Sequence, residues 1–115
     1  MKQQITREQE KDMQVLDALC SHFREELRLR HEEECEREAV TAMLRFPHAP
    51  QPHNLMGVLM ELRDNHLLAM RHFRAAWALD PTYRPARYNM ECMSTFFAAA
   101  MPFAITEVDC VAPKA

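Results

Sequence analysis

Residues 54–89 read NLMGVLMELRDNHLLAMRHFRAAWALDPTYRPARYN, and this stretch decides the fold. Pro52, just before it, suits the first turn of a helix running to about Arg63, because its ring presets a helical φ and its missing N–H falls at an orphan position. Asp64-Asn65 makes a turn, and a second helix from about His66 to Leu79 ends at Asp80-Pro81. Ala69, Met70, Phe73, Ala76 and Trp77 recur at three- and four-residue steps and form its expected buried stripe. Ala69 and Ala76 are small where two antiparallel helices approach closely, and Phe73 fills the groove between them.

Gly57, Ala69, Phe73, Ala76 and Pro81 fall at spacings that resemble a tetratricopeptide repeat. That unit is a helix-turn-helix of about 34 residues with the skeleton W-x2-L-G-x2-Y, then A-x3-F, then P. The fit is closer in the second helix, since His53, Met56 and Met60 stand at the places of the Trp, Leu and Tyr. Counting back one period of about 34 residues lands on Cys35, Ala39, Ala42 and Pro47, three small residues and a Pro. This is the pattern of a degenerate earlier repeat, with Leu16 to Leu29 as its first helix and Glu33 to Phe46 as its second. Arg30, His31 and Glu32 replace the usual Gly-containing turn, which leaves one long bent helix as the alternative.

Upstream, Thr6 and Gln9 have the form of a capping box. Met13, Leu16, Leu19, Cys20, Phe23 and Leu27 then follow at helical spacing, predicting a helix from about Arg7 to Arg30. Three prolines within Phe46 to Pro52 mark a linker between helices. Downstream, Pro85 opens a further helix to about Met101, closed by Pro102. Ala86, Met90, Met93 and Phe97 make one apolar stripe on it, and Tyr88, Cys92, Phe96 and Ala99 another. A terminal helix of a repeat stack normally has a polar outer face, so this one needs a cover. The candidates are the apolar tail from Phe103 to Val108, folding back, or a second subunit.

The expected fold is all-α: a right-handed, tetratricopeptide-like stack of about five antiparallel helices, an α-α superhelix. It spans residues 1–101, with a degenerate repeat at about 16–49, a clear repeat at about 50–83 and a terminal helix at about 85–101. Residues 102–115 form an apolar C-terminal tail. The 115 residues suffice for one domain. Nine Met suggest an adaptable core or contact surface, and one Gly argues against a loop-rich fold.

A net charge of −3, with 14 Lys and Arg interleaved among acids, gives no basic patch for nucleic acid. No apolar run approaches the roughly 20 residues that span a bilayer. The N-terminal stretch lacks the apolar core of a signal peptide, and the four Cys show no close pairing, so a cytoplasmic protein with free thiols is expected.

The resemblance implies a protein-interaction module, an adaptor or scaffold, because the first helices of such repeats line a groove that holds peptides. Carried over, the groove positions are Asp17, Cys20, Arg24 and Leu27, then Asn54, Val58 and Glu61, then Tyr88, Cys92 and Phe96. Arg24, Asn54, Val58, Glu61, Tyr88, Cys92 and Phe96 are the expected protein-binding residues. Family members that clamp a C-terminal carboxylate use Lys and Asn at places that fall here on Cys20 and Arg24, and a basic pair at Pro85 and Asn89, so that clamp is largely missing.

No catalytic, cofactor or metal residues are assigned. The thiols lack a basic, helix-N-terminal setting that would activate them, and one Gly in the chain leaves no phosphate-cradling loop. His31 and Cys35 share a helix face at i,i+4, but a zinc site needs three or four ligands and nothing else has matching spacing. A homo-oligomer formed through the helix at 85–101 is the structural alternative. A small metal- or redox-responsive protein using His31 and Cys35 is the chemical one.

Overall fold

A computed structural model describes residues 5–93 and 103–110. Thr6 starts the first helix: its hydroxyl accepts from the Gln9 N–H at 3.1 Å, while Gln9 Oε1 accepts from the Thr6 N–H at 2.9 Å. Two orphan donors are thereby satisfied. Helix α1 runs Arg7–Arg28 and buries Leu16, Cys20 and Phe23. The chain then turns rather than bending onward, with Arg30 left-handed at φ 64°, and α2 follows at Glu32–Arg45.

The turn needs no glycine because its hydrogen bonds offset the strain of a left-handed L-residue. Leu29 and His31 donate their N–H groups to the Glu25 and Glu26 carbonyls, at 3.0 and 2.9 Å. The same device recurs after α3, which runs Gln51–Leu62 with Pro52 in its first turn. There Asp64 has φ 58° and Asn65 N–H reaches the Met60 carbonyl at 2.8 Å. Arg30 and Asp64 stand one period of about 34 residues apart, so both hairpins are closed in the same way. Asn65 then caps α4, His66–Leu79, by accepting from the Leu68 N–H.

Helix α5 is described over Arg84–Met93. Its expected continuation to about Met101, with Phe96 and Phe97, lies outside the described residues. Glu107–Asp109 forms a short 3-10 turn.

Helix α3 is the hub, packing against α1, α2, α4 and α5. Pro52 and every residue from Asn54 to Met60 are buried, as expected of a helix enclosed on all sides. Contacts also join α1 to α2 and α4 to α5, whereas none among the described residues joins α2 to α4. The helices thus form two layers, with α1, α3 and α5 in one and α2 and α4 in the other. On α4, Ala69, Phe73 and Ala76 are fully buried as expected. Met70 is half-buried, and Trp77 departs further: it is 42% exposed and donates its indole N–H to the Pro81 carbonyl at 3.2 Å. An indole with a polar edge suits such a rim position, where it covers the turn that ends the helix. Among the described residues there is no strand, and no helix is long and apolar enough to cross a membrane.

Candidate functional site

The face made by α1, α3 and α5 is crossed by residues 103–110. Ala104 is fully buried, and Ile105 enters the core cluster that holds Cys20, Phe23, Val58 and Phe73. The ring of Phe103 stacks beside Phe73 with centroids 6.3 Å apart. Offset aromatic pairs at this separation add to simple apolar burial.

Two carboxamides read the Ala104 peptide groups. Asn54 on α3 and Asn89 on α5 are both fully buried. The Ala104 N–H donates to Asn89 Oδ1 at 2.6 Å, and the Ala104 carbonyl accepts from Asn89 Nδ2 at 2.8 Å and Asn54 Nδ2 at 2.9 Å. Asn89 Nδ2 also donates to Asn54 Oδ1 at 2.8 Å, which ties the two helices together beneath the tail. The backbone fixes how each amide is turned, since an N–H can face only Oδ1 and a carbonyl only Nδ2. The network is therefore polar, buried and satisfied.

Further along, Asp109 anchors the tail. Its Oδ2 accepts from the Ile105 and Thr106 N–H groups at 3.0 Å each and from Arg24 on α1 at 2.5 Å. Burial works to raise the Asp109 carboxyl, but the hydrogen bonds from Arg24 and from the Thr106 and Ile105 backbone outweigh it and hold it below the usual carboxylate range. The Tyr83 hydroxyl donates to the Ile105 carbonyl at 3.4 Å, and the Arg84 N–H reaches Glu107 at 3.3 Å.

The residues expected to line a groove are placed as follows. Asn54 meets the tail directly, and Arg24 holds Asp109 at the rim. Val58 and Cys92 are buried, and Tyr88 is half-buried. Glu61 sits at the end of α3, paired with His66 Nδ1 at 2.6 Å, and its other oxygen is buried without a partner among the described residues. Phe96 lies outside the described residues. The groove is thus not an open channel here: the chain's own tail occupies it.

His31 and Cys35 do not converge on a common ligand. His31 faces Glu26 at 2.9 Å on the surface, whereas Cys35 is fully buried with its Sγ toward the Phe23 carbonyl at 3.8 Å. Burial, reinforced by Glu38, pushes the Cys35 thiol up to about 11. Cys20, also buried, is pushed up to about 12. Such thiols carry almost no thiolate near neutrality and are poor nucleophiles. Among the described residues no group of three or more His, Cys, Asp and Glu could hold a metal ion. A separate pair, His53 on α3 and His72 on α4, brings its Nδ1 atoms within 3.2 Å.

Sequence reasoning gave Asn89 and Asp109 no role of their own and named Ala104 only as part of a tail that could fold back over the last helix. A signal was present: Asn54 and Asn89 lie 35 positions apart, close to the repeat period. Each is a carboxamide on an otherwise apolar helix face, where an unpaired amide would be costly. A buried polar pair at that spacing asks for a peptide group to satisfy it. Comparisons with protein-family models, with curated proteins and with solved structures find no match.

Proposed function

We propose that this chain is a non-catalytic protein-interaction module, an adaptor or scaffold of tetratricopeptide-like design, whose α1-α3-α5 face receives a peptide or segment of another protein. The observation that carries this reading is the double carboxamide contact of Asn54 and Asn89 with the Ala104 main chain. Main-chain groups are common to every peptide, so the contact is a general means of holding an extended chain, with flanking pockets supplying selectivity. The repeated turns at Arg30 and Asp64 support the repeat resemblance independently.

Selection of displayed peptides on the full-length Asp109→Ala chain, in which the tail has lost its Arg24 anchor, with the Asp109→Ala/Arg24→Glu chain as a counter-target, tests it. Selected peptides should bind the first chain in preference to the second and slow amide exchange in α3 and α5. Peptides that bind both chains equally and protect only α2 or α4 would sink the reading.

A further inference from the structure

We infer that residues 103–110 are a tethered internal ligand, and that the partner is a segment with the same chemistry and the same turn: aromatic, small and aliphatic residues in succession, with an acidic residue four positions after the aliphatic one that folds back onto its N–H. The inference rests on the groove reading proposed above.

The template is the tail itself. Position 103 stacks beside Phe73, which favours an aromatic ring. Position 104 is fully enclosed and its main chain is gripped by Asn54 and Asn89, which leaves room for little beyond a methyl group. Position 105 fills the core beside Cys20 and Phe23. Four residues on, Asp109 meets Arg24, whose side chain is 47% exposed and so stands at a rim that solvent and a partner can reach. Between these anchors Val108 is 82% exposed and contributes nothing to docking.

A covalently attached segment competes with a free one at a high effective concentration, on the order of 1 mM for short tethers in general. The same sequence supplied in trans therefore reads an apparent Kd near that value on the wild-type chain, however tightly it binds an emptied groove. A natural partner must fill the three pockets better than the tail does.

A fluorescent peptide of residues 103–110 with Cys110→Ser is titrated against full-length wild-type, Ile105→Asp and Asp109→Ala chains. Ile105→Asp places a charge in the core position and expels the tail. Asp109→Ala loosens it at the rim and leaves the core intact, so it decides the matter should Ile105→Asp fail to fold. The expected result is at least tenfold tighter binding to the released chains than to wild type, lost when the peptide itself carries Ile105→Asp. Equal affinity for wild type and Asp109→Ala overturns the internal ligand. Tight binding of scrambled peptides to the released chains overturns the assigned pattern and leaves the groove reading standing. Absence of binding to an Asp109→Ala chain with native circular dichroism overturns both. A wild-type dimer that becomes a monomer on Asp109→Ala makes the occupant a second copy's tail and overturns the tethered form.

Discussion

Gly57 on α3 faces the ring of Phe73 on α4 so closely that an added Cβ would lie under 3.0 Å from three ring carbons. Phe73 is fully buried and cannot swing away. Replacing a mid-helix Gly by Ala ordinarily gains about 0.5 to 1 kcal/mol, whereas forcing a methyl into a packed core costs about 1 to 3 kcal/mol. Overpacking wins, so Gly57→Ala lowers stability in chemical denaturation. Phe73→Ala empties the same contact and costs about 3 to 5 kcal/mol.

Arg30 is the opposite case, because it holds φ 64° at an exposed turn. The left-handed region costs an L-residue roughly 1 to 2 kcal/mol, and glycine's extra unfolded freedom returns about half of that. Arg30→Gly therefore raises the urea midpoint modestly, with an unchanged m-value.

The two buried asparagines are unequal. Asn54→Leu leaves the Ala104 carbonyl still bonded to Asn89, while Asn89→Leu strips the Ala104 N–H of its partner and leaves Asn54 Oδ1 without its donor. Each orphaned buried group costs about 1 to 3 kcal/mol. Asn89→Leu is the more destabilising of the two, and proteolysis after Ala104 should be faster in it.

Burial lowers the proton affinity of His53, and burial together with the charge of its neighbour lowers that of His72. Groups that bind protons more weakly when folded stabilise the neutral form, so stability is full above the unfolded value of about 6.5. It falls as pH drops below that value toward the folded ones. The His53→Gln/His72→Gln double variant flattens this part of the stability profile between pH 7 and 5.

Asp109 titrates in the other direction. Its folded value is depressed, so the contribution of its charge to tail docking is present above the unfolded value of about 3.9 and is lost as pH falls through the folded one. Protection of the Ile105 and Thr106 amides, taken relative to the intrinsic exchange rate at each pH, should fall below about pH 4, and Arg24→Ala should lower it in the same way at neutral pH.

Helix periodicity made most of the stack legible, because α1 to α4 each carry an apolar stripe bounded by Thr6, Asn65 or a proline. The turn at Arg30 was harder to read, since hydrogen bonding from Leu29 and His31 does there what a glycine usually signals. Trp77 was misplaced because helical spacing records which face a residue occupies but not whether that face is covered. The site resisted more strongly. Arg24 and Asp109 are 85 positions apart, and only the folded path of the tail brings them together. Asn54 was expected at a groove through the resemblance, and its spacing to Asn89 marks a pair of carboxamides, but neither says which main-chain group the pair meets.

The position of the tail in the chain also imposes an order in time. Helices α1 to α5 are synthesised before residues 103–110, so Asn54 and Asn89 are made before the peptide groups that satisfy them. At roughly 5 to 20 residues per second, the 15 positions between Asn89 and Ala104 separate the two by an interval on the order of a second. Until the tail docks, the asparagines have each other and water as partners, and any other peptide group that reaches them competes for the same donors and acceptor.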